Sequence, residues 1–516
     1  NATINDGTGE GTILDDESGA TAFSSEYRVS SNRLVRGFDL PTINVPGQAF
    51  NGINPPDTVG DVGLTYYVQM VNSPGGSSFT VYKKSDGSVA LGPVTTNSLA
   101  SSGTCTTSGG DPVVLYDHLA DRWLLTEFSR DANALCAYVS QTNDPTAGGW
   151  FAYEFSTPDF PDYPKFGIGP DAYYVSTNES SPAVYALDRV SMIVGQAAAT
   201  PQRFTAPSLA GFSFQALTPA DLDGPAAPAG SPGIFMRHRD DEVHNVGSND
   251  PAQDFLEVWE FSVDWANSAN STFTKVVDVP ISEFDSDLCG LVSFSCFPQP
   301  GSSMTLDPLR EVIMHRLQYR NFGTHEALVG NLVTDVDGTD HGGVRWFELR
   351  DDGSGWTLFQ EGTVAPDADS RWMGAIAMNA AGDIALAYNV SSSTTSPSLR
   401  YIGRRASDPA GTMSDGEHTL IAGTGNNASN RWGDYAAMSV DPADNGTFWF
   451  TGMYTDGSGS WATRIGSFAF PAVLPPVEPD PDVAEVADLG DTMLGRSGND
   501  TLVGADGDDL MISGSD

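Results

Sequence analysis

Between about residue 40 and residue 470 the apolar positions come in short bursts rather than at helical spacing. The bursts are rich in β-branched and aromatic residues and are bounded by Asp, Asn, Gly or Pro, the pattern of short strands and tight turns. One unit recurs: a short apolar strand, a turn, then a second strand. Seven stretches carry it, at 57–71, 112–126, 165–177, 214–237, 304–317, 373–388 and 435–450. Further strands follow most of them, such as 183–187, 255–261, 344–349 and 399–403. A spacing of roughly sixty residues suits a four-stranded blade with long loops. The pattern therefore predicts an all-β chain, a seven-bladed β-propeller over 51–470, with 21–50 as lead-in and closing strand. A closed ring also removes the exposed sheet edges that an open array would leave. A pair of β-sandwiches is the alternative, and the shared strand–turn–strand signature argues against it.

The composition sharpens this. The chain has 516 residues, of which 40% are hydrophobic and 10% aromatic, enough for a sizeable core. Its 55 glycines and 33 prolines favour turns over long helices. No apolar run approaches the roughly 18 residues of a membrane helix, so membrane insertion is not expected. The charge is lopsided: 25 Lys and Arg against 67 Asp and Glu, a formal net of −42. Such a surface repels nucleic acid and anionic membranes. It fits a salty medium, calcium binding, or both. Lysine is confined to Lys83, Lys84, Lys165 and Lys275, so nearly all the basic residues are arginine. Four cysteines fall in two local pairs, Cys105 with Cys136 and Cys289 with Cys296, neither at zinc-ligand spacing. Two disulfides and an oxidising, extracellular location follow as the expectation.

Both ends carry recognisable wording. Residues 1–17 begin Asn-Ala-Thr-Ile-Asn-Asp-Gly-Thr-Gly-Glu-Gly-Thr-Ile and resemble the last strand of a Calx-beta domain, here placed at 1–20. A Pro-rich acidic linker at 471–487 leads into nonapeptides over 488–516: Gly495-Arg-Ser-Gly498-Asn-Asp500-Thr-Leu502-Val, then Gly504-Ala-Asp-Gly507-Asp-Asp509-Leu-Met511-Ile. A degenerate copy with Asp491 and Met493 precedes them. These are similar to hemolysin-type (RTX) repeats, in which glycines make the turns and aspartates hold Ca²⁺. The resemblance implies Asp491, Asp500 and Asp509 as calcium ligands. Arg496 and Ala505 stand where that pattern has its second glycine. The middle of the chain resembles a family of secreted bacterial propeller proteins of unassigned activity, through Arg431-Trp-Gly-Asp-Tyr435 and Leu317-Gln-Tyr-Arg-Asn-Phe-Gly-Thr-His-Glu326. Segments 351–356 and 456–461 look like degenerate sialidase Asp boxes, which are turn motifs of propeller blades.

Propeller geometry sorts the candidate chemistry. In each blade the first strand runs along the channel and the second returns, so strand-one starts and strand-two ends share a face. Read this way, Lys165, Arg239, Arg320, Arg371, Arg431 and His238 are expected around one funnel, with Trp372 and Tyr435 able to stack on sugars. Arginine grips carboxylate and sulfate bidentately, so an acidic glycan is the expected ligand. The expected function is a calcium-associated extracellular recognition or adhesion module of a large secreted protein. One alternative is an enzyme on the same face. A polysaccharide lyase would use His238 or His325 with Tyr435 as base and acid. A glycosidase would draw its two carboxyls from Glu179, Asp240 and Asp434. Another alternative is a structural spacer, in which these Asp and Arg residues only lock neighbouring blades. The phosphate-cradling Gly loop, the G-x-S-x-G elbow and H-E-x-x-H are absent from the sequence.

Overall fold

The computed structural model describes residues 38, 40–210, 216–244, 250–291 and 294–471, together with the backbone of four short strands within 483–512. The Calx-beta-like tail and the expected calcium ligands Asp491, Asp500 and Asp509 lie outside the described residues.

Residues from Gly37 to Phe470 form one compact unit. Among the described residues its strands form seven four-stranded antiparallel groups; five are separate sheets, and two are joined into one eight-stranded sheet by parallel pairing of Ala220–Leu222 with Leu317–Tyr319. Six follow the chain directly. Blade 1 is Val59–Val62, Tyr66–Ser73, Gly76–Lys83 and Val89–Thr95. Blade 2 is Ser108–Asp117, Arg122–Ser129, Ala134–Ser140 and Trp150–Ser156. Blade 3 is Asp162–Ile168, Tyr173–Asn178, Ala183–Leu187 and Gln202–Thr205. Blade 4 is Thr218–Leu222, Gly233–Arg239, Gln253–Ser262 and Thr272–Ser282. Blade 5 is Leu317–Asn321, Glu326–Asp335, Gly342–Asp351 and Thr357–Val364. Blade 6 is Ser370–Met378, Ile384–Ser391, Ser398–Arg404 and His418–Ile421. Blade 7 takes Ala437–Val440, Phe448–Thr455 and Trp461–Phe468 from the end of the unit, and its outer strand, Ile43–Ala49, from the start. The first strand of each blade packs on the next, and blade 7 packs back on blade 1, which closes the ring. The fold is a β-propeller.

Burial explains the sequence pattern. First strands are covered on both faces by neighbouring blades, so Val59–Val62 and Ser370–Met378 are buried at every position. Outer strands such as Val89–Thr95 are largely exposed, so their apolar signal is weak. Aromatic side chains fill the wedges between blades. Tyr174 meets Phe235 and Phe261 between blades 3 and 4, and Tyr67 stacks on Trp449 where the ring closes.

The channel is stitched by polar side chains. Asp61 accepts from the backbone N–H of Tyr116, and Asp221 from that of Ile168. Asp117 takes the hydroxyl of Tyr173 and the guanidinium of Arg189. Gln318 exchanges hydrogen bonds with the backbone of Met378. At the centre Arg316, fully buried, reaches Asp221, both oxygens of Asp223 and the carbonyl of Met438. Its charge is shared by blades 4, 5 and 7.

One expected unit differs. The sequence predicts a strand pair over 304–317, yet most of this stretch is irregular, and the first strand of blade 5 begins at Leu317. Its apolar residues Val312, Ile313 and Met314 are buried without a sheet ladder of their own. Leu309 and Glu311 adopt left-handed backbone angles, φ 47° and 71°, that a regular strand ladder excludes.

Both disulfides form as paired in the sequence, Cys105–Cys136 and Cys289–Cys296. Such bonds persist in oxidising compartments. Among the described residues no helix is long and apolar enough to cross a membrane. Beyond Phe470, Val483–Glu485 pairs in parallel with Thr501–Val503, and Thr492–Leu494 with Leu510–Ile512.

Candidate functional site

The two ends of the channel differ in chemistry. Where first strands begin, a left-handed non-glycine residue recurs: Asp57, Asp111, Tyr163, Met373 and Asp434, with φ between 48° and 74°. Asp111, Tyr163 and Met373 fall inside bulges of their strands. Bulges re-aim side chains, and such backbone angles in non-glycine residues gather at functional sites.

This first mouth is acidic. Asn72 donates to Asp57 at 2.7 Å and accepts from the N–H of Asp111 at 3.0 Å. The carboxyls of Asp57 and Asp111 are close enough to raise each other's cost of ionisation. Burial, reinforced by Asp434 and Asp111, holds Asp57 well above the usual carboxylate range. Burial and the nearby Asp162 push Asp111 up to about 7. Burial also pushes Asp434 up to about 8, against the pull of Arg431. Arg431 pairs with Asp434 and lies 3.6 Å from Asp307. Lys165 is fully buried, its Nζ without a hydrogen-bond partner among the described residues and 3.7 Å over the Tyr163 ring. Burial drives its pKa well below that of a free lysine. Tyr435 donates to the carbonyl of Pro164 and Tyr163 to that of Asp434, so both phenols are committed to holding blades 3 and 7 together.

A pH dependence follows. Asp111 and Asp434 hold protons in the fold that the unfolded chain releases near pH 3.8. The folded state therefore binds more protons between about pH 4 and 8, and stability falls as pH rises through that window. Unfolding midpoints measured across it should decline in the native chain and decline less steeply in Asp434→Asn. Parallel curves for the two would refute this assignment.

The other mouth lies where first strands end. A cavity of about 380 Å³ opens there, lined by His118, Gly224, Arg320, Asn321, Phe322, Ala380 and Asn445, among others. Arg320 is buried, yet none of the ion pairs among the described residues includes it. Its guanidinium reaches only neutral acceptors, the Met378 carbonyl at 3.1 Å and Asn445 Oδ1 at 3.4 Å. Burial lowers its pKa, with Asp223 opposing at longer range. Gly224, at φ 79°, makes the room: a Cβ there would stand 2.3 Å from Arg320 Nη1. His118 Nε2 lies 2.7 Å from the Gly224 carbonyl, fixing the turn from the side. Phe322 is half-buried and stacks on His325 at 4.9 Å.

The expected funnel of cations is therefore divided. Arg320 and His325 stand at the end opposite to Lys165 and Arg431, a correction to the sequence reading. The slip came from taking 304–317 as the leading pair of blade 5. Treating 317–326 as returning strand rather than first strand and turn reverses the end at which its residues emerge. Of the expected site residues, the structure gathers Lys165, Arg431, Asp434 and Tyr435 at the first mouth. Apart from Arg320 and His325, the rest are engaged in contacts of their own. Arg239 pairs with Glu257 and Asp278, and Arg371 bridges Asp367 and Glu417. Trp372 is fully buried beside Phe297, and His238 is buried against Phe284 and His244. Glu179 takes Arg203, Tyr185 and Thr177. Asp111, Gly224, Phe322 and Asn445 were missed. A usable signal was present, since Gly224, Phe322 and Asn445 sit in turns that follow first strands and Asp111 sits in a bulge near the start of one.

Fold and site together define a β-propeller with a polar, arginine-bearing pocket at one mouth of its channel. No family model matches the chain, and no curated protein matches it. Among solved structures it is similar to an ulvan lyase from a polysaccharide lyase family, at 12% identity and TM-score 0.37, over 84% of this chain and 95% of that one. It is also similar to a protein of unknown function from Dyadobacter fermentans, at 12% identity and TM-score 0.36, over 84% and 99%. A third is the WD40 domain of SCAP from fission yeast, at 8% identity and TM-score 0.34, over 83% and 98%.

Proposed function

We propose that this chain is a glycan-recognition module of an extracellular protein, and that the pocket around Arg320 takes an acidic sugar unit. The observation that carries the reading is Arg320 itself: a buried guanidinium held by neutral acceptors in an open cavity, where every basic residue of the first mouth is either paired or enclosed. A carboxylate or sulfate would supply the missing counter-charge, and Phe322 offers a flat apolar face to the sugar ring. A volume of 380 Å³ is of the size that small-ligand sites occupy. Calcium would enter this reading through the C-terminal repeats, and the parallel strand pairing over 483–512 supports a coil of nonapeptides there. Affinity electrophoresis in gels containing acidic polysaccharides, with neutral ones as controls, tests the proposal. Retention on one acidic polymer is the expected result, and equal mobility in every gel would refute it.

One observation favours a second reading, eliminative cleavage of a uronate polymer. His325, beside Phe322, is kept below the usual histidine range by burial and by Arg350, and its Nε2 has no partner among the described residues. Once its ring turns to bring the buried Nε2 to the cavity, a neutral imidazole can take the proton from the carbon next to the uronate carboxyl; the freed electron pair forms the ring double bond as the bond to the leaving oxygen breaks, and water protonates that oxygen. New ultraviolet absorbance from unsaturated uronate, lost in His325→Ala, would establish it; a flat trace on every polymer that binds would dismiss it.

A further inference from the structure

A second cavity, of about 490 Å³, opens on the same side of the ring as the Arg320 pocket. Leu64, Thr65 and Tyr66 line it between the first and second strands of blade 1, and Lys83, Lys84 and Ser85 at the end of its third, so all six emerge where first strands end. A single turn of blade 7 stands between the two cavities. The Asn445 N–H returns to the Asp441 carbonyl at 2.7 Å and closes it. Lys84 Nζ meets Asp441 Oδ1 at 2.7 Å at one end, and Arg320 Nη2 approaches Asn445 Oδ1 at 3.4 Å at the other. Four Cα steps of about 3.8 Å keep those ends within about 15 Å of each other.

The lining suits an anionic sugar. Lys83 is exposed, and none of the ion pairs among the described residues includes it. Lys84 is held against the carbonyls of Gly63 and Leu64 at 2.9 and 3.3 Å, which fixes one wall. Leu64 is 51% exposed and Tyr66 is half-buried, and together they offer apolar and aromatic surface to a sugar ring. Among the described residues no carboxylate lines the cavity. Those beside it are engaged: Asp86 accepts from the Ser88 N–H, and Asp444 from the N–H groups of Gly446 and Thr447. Two of the chain's four lysines thus stand at one cavity of a molecule whose formal net charge is −42. The neighbouring way out of the Arg320 pocket, past Phe322, runs instead toward Glu326, Asp351 and Asp352.

We propose that this cavity is a second subsite for the same acidic polysaccharide, and that the polymer runs from Arg320 over the Asp441–Asn445 turn to Lys83. The inference rests on the Arg320 reading and narrows its ligand to a polymer bound through successive anionic units, rather than one terminal acidic sugar. Lys83 supplies charge without a preferred geometry, so it tolerates carboxylate or sulfate on the second unit. Each contact is weak by itself. Joined on one chain, the second forms at the high effective concentration set by the first, and the affinities compound.

The test titrates the full chain calorimetrically with length-graded fragments of pectate, alginate and chondroitin sulfate. Fragments too short to leave the Arg320 pocket should bind weakly. Affinity should rise about tenfold or more once they span the turn. Lys83→Ala should cost the long fragments about fivefold, the worth of one exposed ion pair. Leu64→Asp, also at an exposed position, puts a carboxylate into the subsite and should remove the gain. Arg320→Ala should weaken fragments of every length. Arg320-dependent binding without a gain on lengthening, or a gain unmoved by Lys83→Ala and Leu64→Asp, would overturn the subsite and leave the Arg320 pocket standing. No binding of any fragment by the native chain would overturn both.

Discussion

Arg316→Met is expected to destabilise the propeller by about 3–5 kcal/mol, the cost of stranding buried charges rather than of losing one contact. Arg316 is the only cation in ion-pair reach of Asp221 and Asp223 among the described residues, and its field also reaches Asp61. Remove it, and burial and mutual repulsion act on these carboxyls unopposed. Burial and Asp223 hold Asp221 above its ordinary range even with the guanidinium present, and burial pushes Asp61 up to about 7. The variant should therefore recover partially as pH falls and the carboxyls take up protons. Denaturant unfolding at two pH values reads this directly. A triple change, Arg316→Met with Asp221→Asn and Asp223→Asn, should regain much of the loss, because it leaves no orphaned charge. A loss below about 1 kcal/mol for the single variant would mean that the central network adds little net stability.

The second large effect concerns Arg320. Arg320→Ala should weaken retention on an acidic polysaccharide by about tenfold to a hundredfold, the worth of charge-assisted hydrogen bonds to one anionic group. Arg320→Lys should restore little, since a lysine lacks the planar fork. The melt should move only slightly, because the Met378 carbonyl keeps its bond from Gln318. Salt adds an unusual signature. A chain of net charge −42 repels an acidic polymer at long range, while the pocket attracts it at contact. Raising ionic strength from roughly 0.01 to 0.15 M shortens the screening length from about 30 to 8 Å and removes the repulsion first. Retention should thus strengthen over that range before it weakens. Retention unaffected by Arg320→Ala would place the ligand elsewhere.

Much of the architecture was legible because a propeller repeats itself. A strand, an Asp- or Gly-bearing turn and a second strand recur often enough that six of the seven leading pairs fall where the apolar bursts place them. The exception, 304–317, is as hydrophobic as a strand yet buried as an irregular segment, and hydrophobicity alone does not distinguish the two. That slip carried Arg320 and His325 to the wrong end of the channel. The ion pairs were illegible for another reason. Arg371 finds Glu417 across 46 positions and Arg239 finds Asp278 on the outer strand of its blade, distances over which sequence gives no register. Only the folded arrangement separates a guanidinium already neutralised from one still open to a ligand.

Blade 7 has a mechanical consequence. Its outer strand enters at Ile43 and its neighbour leaves at Phe468, and the two run antiparallel with Ile43 opposite Ser467. The chain thus enters and departs at the same end of this seam. A load applied between the preceding and following segments would first part Phe38 from Phe470 and then open the seam as a zipper, one pair of residues at a time from Thr42, instead of shearing all its hydrogen bonds together. Under tension the ring would yield first at its clasp, at low force, while the six blades threaded in series stayed folded.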